Sequence, residues 1–153
     1  MPTATEKTWT IPNQMKAMAD AARDILDWLD GLPLSTRAKY STVLAIEEMV
    51  TNVIKYGYDD CAAHAIRLQV SIDHAFVKLV FEDDGHPFDP TQRPAPDIEH
   101  IMNSRKAGGL GIELVRRMSE RMAYERAGHL NRLTLHIRRL QPDDTQNIAL
   151  ATP

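Results

Sequence analysis

The segment EEMVTNVIKYGYDD, Glu47 to Asp60, combines an apolar helical repeat with a second stripe of polar side chains. At about 100° per residue, Glu48, Asn52 and Lys55 lie on successive turns of one helix face. The opposite face is predicted to consist of Val43, Ile46, Val50 and Val53. Because an amphipathic helix always has a solvated polar face, the stripe can be purely structural. Alternatively, a carboxylate one turn from an amide can bind a hydrated divalent cation, and the ammonium group can neutralise phosphate oxygens.

The residues before this segment predict one strand and two helices. The alternating stretch KTWTI predicts a first strand that ends at Pro12, after which Asn13 can cap a helix. That helix ends at Gly31, where a left-handed turn is possible, and its apolar face is formed by Met15, Met18, Ala22, Ile25, Leu26 and Leu29. The second helix is predicted from about Ser35 to Tyr56 and carries most of the opening segment.

The residues after this segment predict two hairpins separated by a long loop and a helix. The stretches IRLQVSI and AFVKLVFED alternate with period two, and Asp73 and His74 form the turn between them. A third helix is predicted from about Leu110 to Arg121, and a second hairpin, MAYERA with RLTLHIRRL, surrounds Gly128. The side chains of the third helix predicted to point inward are Leu114, Val115 and Met118.

This order of elements predicts an α+β fold. Strands and helices do not alternate regularly, which argues against a doubly wound parallel sheet. The sequence instead predicts a two-layer sandwich, in which a mixed, mostly antiparallel sheet carries helices on one face. We expect residues 1–140 to form one domain and residues 141–153 to form a polar, flexible tail.

Composition limits the classes of protein to which the chain can belong. Its 153 residues are 43% hydrophobic and 25% charged, as in an ordinary globular domain. The net charge of -3 gives no general attraction to nucleic acid, and no stretch has the roughly 18 apolar residues of a membrane span. No signal peptide is recognised and Cys61 is the single cysteine, so we expect a cytoplasmic protein. The six histidines lack the spacing of a metal site.

A second polar cluster, EDDGHPFDP, closes the first hairpin. Asp83 and Asp84 come where the strand ends, and the absence of a side chain at Gly85 would let a flat ligand approach the backbone. A buried carboxylate there can accept a hydrogen bond from an exocyclic amine such as that of adenine, and would reject a base without the amine. An Asp-Gly turn with a polar tip is the structural alternative.

A third cluster, GGLGIELV, places Gly108, Gly109 and Gly111 at the start of the third helix. Glycines at a helix start allow unpaired amide groups to face a phosphate, where the helix dipole also favours negative charge. The segment lacks the GxxxxGK(S/T) spacing of a P-loop, so taken alone it is a weak indication of a phosphate site.

In this order, the three clusters resemble the motifs of the GHKL ATPases, the superfamily of histidine-kinase catalytic domains, Hsp90-type chaperones, type II topoisomerases and mismatch-repair ATPases. EEMVTNVIKYGY is similar to their N box, DDGHPFDP to their first glycine box and GGLGIELVRRM to their second. The forms EMVTN and GHPFDP most resemble the anti-sigma factor serine/threonine kinases of bacterial partner-switching systems. The resemblance extends from about Ile11 to Arg138 and implies the Bergerat, or histidine-kinase-like, ATPase fold.

The resemblance also implies a role for each site residue. Glu48 would be the catalytic base, and Asn52 would bind Mg²⁺ together with ATP. The other nucleotide-binding residues would be Lys55 near the phosphates, Asp83 and Gly85 at the adenine, Gly108, Gly109, Leu110 and Gly111 at the helix start, and Arg105 and Lys106 in the lid. Pro87 replaces the last glycine of the usual DxGxG, which is familiar in the anti-sigma branch. Ala107 stands where many histidine kinases open GxGLG, so phosphate contact at that position stays open.

The activity that the resemblance implies is phosphoryl transfer from ATP to a serine or threonine of a STAS-domain antagonist. The same surface would sequester a sigma factor or another target, and family members often form homodimers. A regulator that binds nucleotide and partner without efficient transfer is the alternative from another functional class. A nucleotide-hydrolysing fragment of a larger machine is a third possibility. No nucleic-acid or membrane partner is expected.

Overall fold

The computed structural model describes residues 5–92 and 110–142, which form five strands, three α-helices and one 3₁₀ turn. The strands are β1 (Thr5–Pro12), β2 (Ala65–Ile72), β3 (Phe76–Asp83), β4 (Arg121–Ala127) and β5 (Leu130–Arg138). The helices are α1 (Met15–Asp30), α2 (Thr36–Tyr56) and α3 (Leu110–Met118), and the 3₁₀ turn is Pro90–Gln92. The element order is the one that the sequence predicts.

The five strands form one sheet in the order β1-β2-β3-β5-β4, and all four pairings of these described strands are antiparallel. Side chains alternate between the two faces, as the period of two requires. Leu79 of β3 is fully buried between Val70 of β2 and Leu135 of β5, its partners in the register, whereas the neighbouring Lys78 is exposed. The sheet therefore has one apolar face and one polar face.

The apolar face of the sheet is covered by helices whose own apolar stripes meet it. Because exposing these apolar stripes to water is unfavourable, α1 and α2 pack side by side over the apolar face of the sheet. The helix residues buried in this core include Met18, Ala22, Ile25 and Leu29 of α1 and Ala45, Ile46, Met49 and Val50 of α2. The predicted α+β fold, with helices layered on one face of the sheet, is confirmed.

The start of α2 is attached to the end of β5. Ser35 caps α2, because its Oγ accepts a hydrogen bond from the Ala38 N–H at 3.1 Å. The same Oγ accepts from the Gln141 N–H at 3.0 Å, and the Ser35 N–H donates to the Arg139 carbonyl at 3.1 Å. These bonds connect the first turn of α2 to the chain immediately after the last strand.

Some local sequence predictions were wrong. The N-cap of α1 is Gln14 and makes no side-chain capping bond, because the Asn13 side chain instead accepts from the His64 N–H at 3.1 Å. The third helix ends at Met118, and Arg121 already begins β4. Leu114, predicted to point inward, is 43% exposed, and Ile112 and Val115 are the buried side chains of α3.

Four predicted site residues lie outside the described part of the chain, namely Arg105, Lys106, Gly108 and Gly109. Residues 143–153 of the predicted tail also lie outside it. Within residues 5–92 and 110–142, none of the helices has both the length and the apolar character needed to cross a bilayer.

Candidate functional site

The polar stripe of α2 is separate from the buried stripe of the same helix. Glu48 and Asn52 are half-buried one turn apart, and Lys55 is exposed in the last turn. Among the described residues, none makes a hydrogen bond or an ion pair with these three side chains. Within this part of the molecule, a carboxylate, an amide and an ammonium group are therefore available to a ligand.

Glu48 reaches the first turn of α3, where it packs against Gly111. A Cβ atom added at Gly111 would lie 2.8 Å from Cδ of Glu48, and closer still to its Oε2. Nonbonded carbon atoms in contact are normally about 3.5 to 4 Å apart, so only glycine leaves room for this carboxylate. The fold thereby holds a carboxylate of α2 beside the amino end of α3, which carries the positive end of the helix dipole.

Asp83 ends β3 on the helix-covered face of the sheet and is only 7% exposed. Its Oδ1 accepts two hydrogen bonds, from the Gly85 N–H at 2.9 Å and from Nδ2 of Asn131 at 3.0 Å. No group in the described ranges donates to Oδ2. Oδ2 is therefore the oxygen of Asp83 that is available to a donor, such as the exocyclic amine of adenine.

Gly85 lies where the turn after β3 touches the end of α2. A Cβ atom at Gly85 would lie 2.6 Å from the carbonyl oxygen of Gly57, a backbone atom that cannot easily move. The His86 N–H donates to the same carbonyl at 2.8 Å. The missing side chain at position 85 thus allows the second polar cluster to dock on the helix that carries Asn52 and Lys55.

Asn131 and Arg126 support this turn from the second hairpin and are absent from the sequence predictions. Asn131 lies directly opposite Asp83 in the β3–β5 register, and its Nδ2 also donates to the His86 carbonyl at 2.7 Å. Arg126 donates from Nη1 to the Gly85 carbonyl at 2.8 Å. One signal in the sequence could have identified Asn131, because it is the polar residue of an otherwise apolar inward series that continues with Leu133, Leu135 and Ile137.

A stacked pair of rings lies beside the same turn. The rings of Tyr58 and His64 stack at 4.0 Å, and His64 bridges Asp60 at 2.8 Å and Asp84 at 3.1 Å. The hydrogen bond to Asp60 raises the pKa of His64, and that bond lowers the pKa of Asp60. Burial, followed by the nearby charges of Asp83 and Asp84, raises the pKa of Tyr58. The Tyr58 hydroxyl is buried beside the Asp84 carboxylate.

Helix α2 connects the three sequence clusters. At its carboxyl end, Gly57 contacts the second cluster at Gly85 and His86. Along its polar face, Glu48 contacts the start of α3, which begins at Leu110. No group of three histidine, cysteine, aspartate or glutamate side chains is arranged for a metal ion within residues 5–92 and 110–142. A cation held by the Asn52 side chain alone would need phosphate oxygens and water to complete its coordination, as Mg²⁺ commonly does.

Known proteins resemble this chain in sequence and in fold. A family model described as a histidine kinase-like ATPase domain matches residues 11–137. The serine/threonine-protein kinase BtrW of Bordetella bronchiseptica is 28% identical over 126 residues, which cover 80% of this chain and 89% of that protein.

Two solved structures share the fold at low sequence identity. The structure of the RsbU and RsbW domains of Rv1364c from Mycobacterium tuberculosis gives a TM-score of 0.62 at 16% identity, over 92% of this chain and 34% of that one. The histidine kinase domain from the Erythrobacter litoralis EL346 blue-light activated histidine kinase gives 0.52 at 16% identity, over 93% of this chain and 66% of that one. The chain thus spans only about a third of the first structure and just under two thirds of the second. The family model covers most of the sequence, and the fold and the order of the motifs agree with it, so this chain belongs to the histidine kinase-like ATPase domain family.

Proposed function

We propose that this chain is an ATP-dependent protein serine/threonine kinase of a bacterial partner-switching system. The observation that carries the proposal is the contact of Glu48 with Gly111, because it holds a potential base at the amino end of α3. The similarity to a protein named as a serine/threonine-protein kinase supports this activity over histidine phosphorylation.

The purine would be recognised at the end of β3. Oδ2 of Asp83 would accept a hydrogen bond from the exocyclic amine of adenine, since its Oδ1 already has two donors. Gly85 would contribute through its N–H, which donates to Oδ1 of Asp83 at 2.9 Å. The space where its side chain would project is filled by the Gly57 carbonyl, so the ring would not lie there. A base with a carbonyl in place of the amine would oppose two acceptors and bind more weakly.

The triphosphate would lie between α2 and the start of α3. Asn52 would hold Mg²⁺, which when bound supplies neutralisation of the phosphate oxygens during transfer. Lys55 would add positive charge, and the amides of Leu110 and Gly111 at the helix start would face the phosphates. The remaining proposed contacts lie outside the described residues and are Arg105, Lys106, Gly108 and Gly109.

Glu48 would accept the proton of the hydroxyl group that is phosphorylated. The serine or threonine oxygen would bond to the γ-phosphorus while the bond from that phosphorus to the β–γ bridging oxygen breaks and ADP leaves. Glu48 can act in this way because its carboxylate is held by packing and has no hydrogen-bond donor among the described residues. The positive end of the α3 dipole would draw the γ-phosphoryl group towards the same place.

We also propose the partners that the family resemblance implies. The acceptor would be a STAS-domain antagonist, and the same surface would alternately hold a sigma factor or another regulatory target. The solved structure that includes an RsbW domain has the same fold as this chain, which is consistent with the proposal. Because ATP and ADP would contact the site differently, the bound nucleotide would shift which partner stays bound. A homodimer is part of the same proposal.

The test is transfer of labelled γ-phosphate from ATP to a STAS-domain protein encoded in the same genome. Glu48→Gln keeps the size of the side chain and removes its basicity, so transfer is expected to fall by about 100-fold or more while ATP affinity holds. Glu47→Gln changes the preceding glutamate of α2 as a matched control and is expected to keep wild-type transfer. Wild-type transfer by Glu48→Gln would show that Glu48 is not the base. Nucleotide binding without transfer to any protein would instead support the sequestering regulator.

A further inference from the structure

The Asp83 carboxylate is held by a chain of side chains from the second hairpin. Asn131 donates from Nδ2 to Asp83 Oδ1 at 3.0 Å, and Tyr124 donates its hydroxyl to Asn131 Oδ1 at 2.5 Å. Asn131 is only 6% exposed, and Tyr124 is partly buried against the core. The chain Tyr124–Asn131–Asp83 thus connects three side chains on strands β4, β5 and β3.

The orientation of the Asn131 amide is fixed by its surroundings. Besides Asp83 Oδ1, its Nδ2 faces the carbonyl oxygens of His86 at 2.7 Å and Gly85 at 3.4 Å. Carboxylate and carbonyl oxygens can only accept, so the amide nitrogen must face them and the amide oxygen must face Tyr124. Rotation of the amide by half a turn would place an acceptor against three acceptors and leave the Tyr124 hydroxyl opposite an NH₂ group.

We propose that Asn131 and Tyr124 are positioning residues that set the purine specificity of the site by fixing the plane of the Asp83 carboxylate. This inference rests on the proposed role of Asp83 in reading the adenine amine. With Oδ1 occupied by Asn131 and Gly85, Oδ2 is the acceptor left for the amine at position 6 of the base. A carboxylate free to rotate could turn away from a carbonyl at that position, whereas a fixed one cannot.

The proposal predicts a change in selectivity as well as a loss of affinity. ATP and ITP share the sugar and the triphosphate but carry an amine and a carbonyl, respectively, at position 6. The wild-type protein is expected to prefer ATP by about 100-fold, because ITP sets one acceptor against another in a largely buried site. Tyr124→Phe removes only the hydroxyl that orients Asn131, so ATP affinity is expected to fall by about tenfold while ITP affinity changes little.

Asn131→Asp is a stronger, nearly isosteric variant. It replaces the donor facing Asp83 Oδ1 with an acceptor, so two carboxylates must share a proton to remain close. ATP affinity is expected to fall by at least about 50-fold at pH 8 and to recover partly at pH 5.5, where the proton is available. A wild-type titration over the same pH range corrects for changes in the nucleotide itself.

Calorimetric dissociation constants for ATP and ITP, measured with excess Mg²⁺, test the proposal without phosphoryl transfer. Tyr40→Phe removes a hydroxyl from an exposed tyrosine of α2 and serves as the matched control, with unchanged constants expected. Reduced ATP-over-ITP selectivity in Tyr124→Phe supports the proposal, even if Asn131→Asp does not fold. An equal loss for both nucleotides would show a purely structural role and overturn it. Absence of ATP binding by the wild type would refute the proposed function and this inference together.

Discussion

Replacement of Gly111 by alanine tests the position of Glu48 without changing a charged residue. The new methyl carbon would lie 2.8 Å from Cδ of Glu48, and nearer to Oε2, so the side chain must move for contact to become ordinary. We estimate a displacement of about 1 Å at the carboxylate, and a misplacement of this size can lower a rate by about 100-fold. The clash involves the flexible end of a side chain, so the backbone of α3 can stay in place.

The same substitution is expected to leave the fold intact. Alanine favours the helix over glycine by up to about 1 kcal/mol, so the melting temperature of Gly111→Ala should equal or exceed that of the wild type. Loss of phosphoryl transfer with unchanged stability would then reflect the carboxylate rather than unfolding. Gly31→Ala is the matched control, since its nearest non-neighbouring heavy atom would be the Trp28 carbonyl oxygen at 3.8 Å and the site lies elsewhere.

A double-mutant cycle tests whether Gly111 and Glu48 affect phosphoryl transfer through the same contact. Glu48→Asp shortens the side chain by one methylene and also withdraws the carboxylate, so it should reduce transfer on its own. Combined with Gly111→Ala, it removes the clash and should cost little more than either change alone, because both act through one contact. Transfer of labelled phosphate by Gly111→Ala within about threefold of the wild type, or additive losses in the cycle, would show that Gly111 does not position the Glu48 carboxylate.

Three further perturbations test other parts of the site. Gly85→Ala places a methyl group 2.6 Å from the Gly57 carbonyl, so urea unfolding should show a loss of about 1–3 kcal/mol, unlike the glycine control above. His64→Gln tests the bridge to Asp60. Folding raises the pKa of His64, so the protonated ring adds to the stability of the folded protein. This contribution is complete below the unfolded-state pKa of about 6.5 and is lost as the pH rises through the folded-state pKa. The difference in unfolding free energy between wild type and His64→Gln should therefore be larger at pH 5.5 than at pH 9, and a constant difference would contradict the assignment. Asn52→Ala should weaken ATP binding by at least about tenfold with Mg²⁺ but hardly at all with EDTA, and an equal loss by calorimetry under both conditions would argue against a metal ligand.

The fold was predictable because its information is local and periodic. The period of two in β2 and β3 determines which side chains face the helices, and the register confirms it with Val70 opposite Leu79. The third helix shows the limit of this reasoning, since Leu114 with Met118 and Ile112 with Val115 both satisfy a helical spacing. In the structure Ile112 and Val115 are buried and Leu114 is exposed. Which side of α3 faces the core depends on its packing against α2, whose residues are far away in the sequence.

The polar contacts that hold Asp83 were not predictable from the sequence. Asp83 and Gly85 belong to a recognisable motif, whereas Asn131 acts through a cross-strand pairing 48 residues away. The alternation of side chains along β5 predicts that Asn131 faces inward. It does not predict which residue of β3 lies opposite, because that depends on the register between the two strands. Asn13 illustrates the same difficulty: its side chain could cap α1, but it accepts a hydrogen bond from the N–H of His64, the residue before β2.

The hydroxyl oxygen of Ser35 accepts hydrogen bonds from the N–H of Ala38, in the first turn of α2, and from the N–H of Gln141. Force applied to the chain just after β5 would consequently act on the amino end of the helix that carries Glu48 and Asn52. The chain just after β5 and helix α2 are thus mechanically coupled through the hydroxyl and the backbone N–H of Ser35. Extensions or fusions placed after residue 142 can therefore shift the amino end of α2 without contacting its carboxyl end.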